Sequence, residues 1–596
     1  MKKLLTGNEA VCKAALDCGV KFASAYPGTP STEILENLSM FKDKLYAEWA
    51  PNEKVALESA IGACYAGARS MAAMKHVGLN VAADAFFTNA CTGVNGGLVI
   101  VDADEPGMHS SQNEQDNRRY AYHANVPMFE PSNSQECYDM IREAYDVSEQ
   151  YDMPVLFRMT TRICHSKSVV SFRDPVCPDF KEFQKNPAKY VTTPANARRL
   201  KVIAIEKIKK LAKYSEETDL NFAEYYDKKI GIIASGICYE YAKEVFGENA
   251  SYFKVGFSHP LPTKKIIDFA SEVEKIYIIE ENDPVMETEV KALGIKAIGK
   301  ELLPLNGEMT PDVIRRCLLN ETLPIVDYQR EVIPPRPPAL CVGCPHRGFF
   351  HILGKQKNMY FSGDIGCYTL GVAPPYNAID SVTCMGASIS SAHGAQKVFD
   401  MNENSKMRAV GIIGDSTFFH TGMNSLLNVA YNQSKAITVI LDNRITGMTG
   451  HQQNPGTGFT AQEDVANQVN IENLVRAIGI KHVRTINPNK LDEVKSAIKW
   501  AVDLDEASVI ITRYPCALKK FTKADLEEFK DVNANRYIVD TDKCTGCKLC
   551  LKSGCMAVSY DKQTKLAQID QNACLGCSVC SQICHSDAIV LNRGCN

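Results

Sequence analysis

"RAVGIIGDST" (Arg408–Thr417) and "KAITVILDN" (Lys435–Asn443) decide the fold. Each is an unbroken apolar run of strand length that ends on a polar side chain, Asp415 in one and Asn443 in the other. Strands buried on both faces read as continuous hydrophobic runs, and they belong to parallel sheets covered by helices. Ligands in such sheets bind at the carboxyl ends of the strands, which is where these two polar residues stand. A third run of the same kind, "ASVIITRY" (Ala507–Tyr514), completes a parallel α/β pattern.

The same alternation extends in both directions. Residues 1–190 hold a small-residue helix followed by a turn, "NEKVALESAIGACYAGARSMAAMKHVG" (Asn52–Gly78), and the strand-like "GGLVIVDADEPG" (Gly96–Gly107) and "MPVLFRMTTRICHSK" (Met153–Lys167). Residues 191–228 are lysine-rich and helical without a clear apolar core, and are expected to be a linker or surface segment. A compact α/β pattern fills 229–330, with "KKIGIIASGICYEYAKEVF", "YFKVGF" and "VEKIYIIEEND". Four prolines in "PPRPP" (Pro334–Pro338) place a boundary near residue 335. The segment containing the opening strands runs over 335–525, and a cysteine-rich tail occupies 535–596. Four folded parts are expected, all α/β except a small α+β tail.

Hydrophobic residues make up 45% of the 596 and charged residues 23%, the balance of a globular protein. A net charge of −4 argues against nucleic-acid binding. No apolar run approaches the roughly 20 residues that span a bilayer. The opening "MKKLLTGNEAVCKAALDCGV" reads as a helix start rather than a secretion signal. With no export signal, 23 cysteines favour thiolates over disulfides, and a cytoplasmic location is expected.

The tail carries two cysteine sets. Cys574, Cys577, Cys580 and Cys584 are spaced C-x2-C-x2-C-x3-C, and Cys544, Cys547, Cys550 and Cys555 are spaced C-x2-C-x2-C-x4-C. Two overlapping triads of this spacing suit [4Fe–4S] clusters better than zinc. They resemble bacterial two-cluster ferredoxins, in which the fourth cysteine of each run ligates the other cluster. The resemblance implies one cluster on Cys544, Cys547, Cys550 and Cys584, and a second on Cys574, Cys577, Cys580 and Cys555. The proline that usually follows the fourth cysteine is replaced by Met556 and by His585.

Gly414-Asp415-Ser416, with Asn443 following 28 residues after Asp415, resembles the thiamine diphosphate motif. By that resemblance Asp415, Asn443 and the Ile445 carbonyl hold Mg2+ beside the diphosphate, and hard oxygen donors suit that ion. Ser416 stands where the motif has glycine. "SAYPGTPSTEI" (Ser24–Ile34), "CVGCPHRG" (Cys341–Gly348) and "GDIGCYTLG" (Gly363–Gly371) are similar to segments of the 2-oxoacid:ferredoxin oxidoreductases. This likeness implies two thiamine-diphosphate-binding domains, pyrimidine (1–190) and diphosphate (335–525), around a transketolase-C-terminal-like domain (229–330). It puts Thr29 beside cofactor and substrate, and Cys344, His346, Gly366 and Cys367 around the cofactor. Gly386 opens a small-residue helix, "TCMGASISSAHGAQK", of the sort that receives phosphate oxygens. An isolated Cys341–Cys344 pair can also be read as half a zinc ribbon.

A carboxyl group must hydrogen-bond the aminopyrimidine. The family spacing of Glu, Gly nine residues on and Gly five beyond matches Glu53, Gly62 and Gly67 and not Glu58. Arg118, ahead of Arg119, is expected to pair with a substrate carboxylate, and Lys75 and His76 are further pocket candidates. Met448 would suit an aromatic substrate. "KHVGLN" (Lys75–Asn80), "SSQNEQDNRRYA" (Ser110–Ala121) and "CPHRG" resemble the large (α) subunits of the indolepyruvate branch. The resemblance implies CoA-dependent oxidative decarboxylation of arylpyruvates to aryl-acetyl-CoA and CO2. Electrons would pass through both clusters to ferredoxin, and a smaller β subunit would complete an (αβ)2 assembly.

Overall fold

A computed structural model describes residues 2–324, 333–334, 336–532 and 536–592. The domain bounds expected at 330, 335 and 535 lie outside the described residues. The chain divides into two units, Met1–Tyr328 with Ala461–Glu463, and Gln329–Thr460 with Asp464–Asn596.

The first unit is built on two large sheets, with Lys2–Thr6 and Lys167–Ser171 as a separate antiparallel pair. Seven strands form the larger, in the order Phe257–His259, Met128–Phe129, Val155–Thr160, Leu98–Asp104, Ser70–Lys75, Phe22–Ala25, Tyr46–Trp49. All neighbours are parallel except Phe257–His259 on Met128–Phe129. Ser70–Lys75, expected as a turn, is a buried strand in the middle of this sheet. Its Ala and Met residues have little β preference of their own, and burial between two parallel neighbours overrides that. Helix Glu53–Tyr65 precedes it, opened by Asn52, whose side chain accepts from the Val55 N–H at 2.9 Å.

Five strands form the second sheet, in the order Ala297–Ile298, Lys275–Ile279, Ile230–Ser235, Ser251–Val255, Asn221–Glu224. Two expectations need correcting here. The presumed linker is a 24-residue helix, Pro194–Glu217, that buries Leu200, Ala204 and Leu211, followed by Asn221–Glu224 as an edge strand. "YFKVGF" is not one strand: the chain breaks at Gly256, leaving Ser251–Val255 in the smaller sheet and passing Phe257–His259 to the larger. Both features rest on pairings between distant residues, which short strands do not announce in their own composition.

The second unit carries a five-stranded parallel sheet, in the order Met359–Ser362, Arg408–Gly414, Ile437–Asp442, Ser508–Arg513, His482–Ile486. The three apolar runs are its central strands. The two edge strands, more polar, escaped the sequence pattern. Beyond them the cysteine tail forms two antiparallel pairs, Tyr537–Val539 with Ile589–Leu591 and Val558–Tyr560 with Ala567–Ile569. Val579 and Ile583 of the tail belong to the same core as Phe349, Phe350 and Leu353 of the sheet domain, so the two pack as one body. Among the described residues no helix is long and apolar enough to cross a membrane.

Candidate cofactor and redox site

Strand register puts Gly414 beside Leu441, so Asp415 and Asn443 leave the same edge of the sheet from neighbouring strands. Both are buried. The Ser416 N–H donates to Asp415 Oδ1 at 2.8 Å, and the Ile445 N–H donates to Asn443 Oδ1 at 3.2 Å. Burial, and then the charge of Asp442, push the Asp415 carboxyl up to about 8, against hydrogen bonds from the Ser416 N–H and the Asn454 side chain. Arg513 donates to Asp442 at 2.8 Å. A buried carboxyl driven toward its neutral form by desolvation, next to an amide oxygen, is a donor set that a hard divalent cation would complete. These residues therefore fit Mg2+.

Ser416 replaces the motif's glycine without strain, because its backbone lies outside the left-handed region. Its hydroxyl accepts from Thr446 Oγ1 at 2.9 Å, tying the two strand ends together. Gly366 and Gly414 make room for one ring: a Cβ on either would fall 2.3 and 2.6 Å from Tyr368 Cε1. Tyr368 in turn donates to the Ile365 carbonyl at 2.8 Å. Gly386 has φ of +87°, and a Cβ there would lie 1.6 Å from Thr421 Oγ1.

The helix start at Gly386 already holds a carboxylate of the chain. Asp364 Oδ1 accepts from the Gly386 N–H at 2.7 Å and Oδ2 from the Ser388 N–H at 2.9 Å, so a buried carboxylate already satisfies the turn. Asp364 belongs to the same motif as Gly366 and Cys367, where its side chain carries no local signal of this role. His346 is buried with its ring edge-on to Tyr368, and burial lowers its pKa to about 4. Cys367 is pushed up to about 11 and Cys344 to about 12, chiefly by burial, so both are thiols at neutral pH. A Cβ on Gly447 would lie 3.7 Å from Asn443 Nδ2 and 3.9 Å from Cys367 Sγ, so Cys367 and Asn443 both border this glycine. Met448, next in that loop, is exposed. Among the described residues no three His, Cys, Asp or Glu side chains gather as ligands of a single metal ion.

The tail meets this domain through its cysteine loops. Cys544, Cys547, Cys550 and Cys584 line one cavity. Cys574, Cys577 and Cys555 are close enough to Cys580 that their charges raise its pKa further, after burial. A Cβ on Gly343, inside "CVGC", would fall 2.9 Å from Leu575 Cβ, between Cys574 and Cys577. Arg347 is wholly buried and donates to the Ser553 carbonyl at 3.0 Å, to Tyr376 Oη at 2.6 Å and to the Leu340 and Cys341 carbonyls at 2.8 Å. Tyr376 also donates to the Ser553 carbonyl, at 2.7 Å.

In the first unit Glu53 is buried, and a Cβ on Gly78 would lie 2.8 Å from its Oε1. Lys75 packs its stem on Gly28, beside half-buried Thr29, and its ammonium lies 3.3 Å from Glu105. Glu58 is solvent-facing and paired with Lys54 on its own helix. "SSQNEQDNRR" works as a brace. Ser110 and Ser111 donate to Glu105, Asn113 meets His76 Nε2 at 3.1 Å, and Asn117 donates to the His76 carbonyl at 3.0 Å. Arg118, expected to meet a substrate carboxylate, is engaged by carboxylates of the chain itself. Its guanidinium is buried against Asp116, donates to Glu280 Oε2 at 2.6 Å and to the Glu281 carbonyl at 2.8 Å, and so clasps the two sheet domains of this unit. Arg119 is exposed and sits 3.3 Å from Asp283.

Residues 13–230 match the family model described as pyruvate flavodoxin/ferredoxin oxidoreductase, thiamine diphosphate-binding. Residues 364–512 match the thiamine pyrophosphate enzyme, C-terminal TPP binding domain. The chain is 39% identical to indolepyruvate oxidoreductase subunit IorA of Archaeoglobus fulgidus, over 99% of this chain and 97% of that one. Identity is 40% to the Pyrococcus horikoshii protein of the same name, over 98% and 96%. 2-Oxoglutarate synthase subunit KorA of Methanothermobacter marburgensis is 25% identical over 52% of this chain and 96% of that one.

Proposed function

The chain belongs to the IorA subunits of the indolepyruvate oxidoreductases, a family of thiamine-diphosphate-dependent oxidoreductases, and from that premise we propose that it oxidatively decarboxylates arylpyruvates in the presence of CoA. Thiamine diphosphate, when bound, supplies the carbanion chemistry of decarboxylation. Asp415, Asn443 and the Ile445 carbonyl would hold Mg2+ against its diphosphate. Glu53 would hydrogen-bond the aminopyrimidine, kept in place by the Asn52-capped helix start. Thr29 and Lys75 flank Gly28 and would be polar groups offered to a 2-oxoacid, and the engagement of Arg118 by Glu280 supports them over it. Cys367, His346 and Tyr368 would wall the cofactor and keep water from it.

The observation that carries the redox half of this reading is the seating of the cysteine tail on the diphosphate domain, through Gly343 against Leu575 and Arg347 on Ser553. This supports a short route from the cofactor to two [4Fe–4S] clusters, ligated as the ferredoxin resemblance implies, and on to ferredoxin. A smaller β subunit in an (αβ)2 assembly and a cytoplasmic location complete the proposal.

The test is anaerobic turnover of the chain with its β partner, supplied with thiamine diphosphate, Mg2+, CoA and a viologen dye. Indolepyruvate should reduce the dye far faster than pyruvate. Preference for pyruvate would overturn the aryl substrate, and no reduction with either would overturn the reaction.

A further inference from the structure

Three lysines from separate elements converge on His351: Lys355 after helix His346–Leu353, Lys495 on helix Leu491–Val502 and Lys552 on the short helix Leu549–Ser553. His351 Nδ1 donates to the Lys552 carbonyl at 3.0 Å, which leaves Nε2 to accept from Lys355 Nζ at 2.6 Å. The imidazole is thereby held neutral. Burial and then the charges of Lys552 and Lys495 lower the Lys355 pKa. Among the described residues, the carboxylate that reaches this group is Asp492, 3.0 Å from Lys495 and on the same helix. Like charges gathered with so little compensation repel unless an anion arrives from outside.

The position of the group matters more than its charge. Lys552 lies between Cys550 and Cys555. Lys548 is exposed, adjoins exposed Cys547, and lines the cavity formed by Cys544, Cys547, Cys550 and Cys584. In the other set Cys574 and Cys580 are buried. Met556, where the ferredoxin pattern has proline, follows Cys555 and is 63% exposed. Of the two sets, the one that reaches the surface is thus the one bordered by lysine.

We propose that Lys355, Lys495, Lys548 and Lys552, with Met556, form the docking face for an acidic one-electron carrier protein that takes electrons from the Cys544 set. This deepens the reading above and rests on the tail holding clusters. A small phosphate ligand is disfavoured, because both His351 ring nitrogens are engaged within the chain and the lysines stand exposed on three elements. Weak redox encounters of this kind depend on steering by complementary charge.

The test uses the complete complex with its β partner and a purified acidic bacterial ferredoxin, comparing wild type with Lys495→Glu/Lys552→Glu. At low ionic strength the double variant should bind ferredoxin roughly tenfold more weakly in a calorimetric titration, and the gap should close near 0.5 M salt, where charges are screened within about 4 Å. Benzyl viologen reduction and iron content should match wild type. Unchanged ferredoxin affinity would overturn the proposal. So would a raised KM for CoA with ferredoxin binding intact, which would assign the face to CoA phosphates. Failure of the wild type to reduce viologen would instead strike the reaction proposed above, while the binding titration still judged the face.

Discussion

Glu53 is buried at the first position of its helix, close against the backbone of Gly78. Glu53→Gln keeps the volume and removes the acid, so turnover should fall about 10²- to 10⁴-fold with little change in thermal midpoint. A variant that retained more than a tenth of wild-type turnover would remove Glu53 from the mechanism. His259 offers a pH test at the same scale. It is buried with neither ring nitrogen partnered, lies 4.2 Å from the Tyr122 ring, and burial lowers its pKa from 6.5 to about 4. A depressed folded-state pKa contributes stability that is present above pH 6.5 and is lost as pH falls through about 4. His259→Phe keeps the ring contact and lacks this loss. Comparing the two by thermal denaturation between pH 7 and 4 should show the variant gaining up to about 3 kcal/mol relative to wild type at the acid end. Parallel curves would show that the ring is already protonated or solvated.

Among elements, helix His346–Leu353 makes two contacts: it begins with His346 against the Tyr368 ring and one residue later reaches into the tail with Arg347. Arg347→Ala would leave the Leu340 carbonyl without its donor, and the Ser553 and Cys341 carbonyls with one donor each, from the Tyr376 hydroxyl and the Cys344 N–H. It should cost about 2–4 kcal/mol and expose the tail to protease. Limited proteolysis that releases residues beyond 536 faster than in wild type is the readout. Arg347→Lys, with a single ammonium in place of the fork, should recover only part of the loss. Gly386→Ala demands both an unfavourable φ and a Cβ inside Thr421, and should leave no folded diphosphate domain.

At the scale of the whole molecule, the cysteine tail is embedded in the body of the second unit, sharing its core. Cys544→Ser should lower bound iron by about half while leaving the second cluster's EPR signal in place. Loss of all the iron would mean that the two sets fold as one. Chelation of Mg2+ should abolish turnover, and its return with thiamine diphosphate should restore it. The sequence by itself determined the parallel strands ending at Asp415 and Asn443 and the two cysteine sets. Each of these is a local pattern, and an apolar strand or a cysteine triad needs only neighbours in the chain to declare itself. Tertiary structure alone decided that Ser70–Lys75 is a strand, that Asn221–Glu224 completes a sheet, and that Asp364 occupies the helix start left open to phosphate. It also turned Arg118 from an expected substrate ligand into a clasp on Glu280, 162 residues away. Such roles are set by which distant charges and backbones burial brings together, and a buried ion must find its partner wherever the fold supplies one.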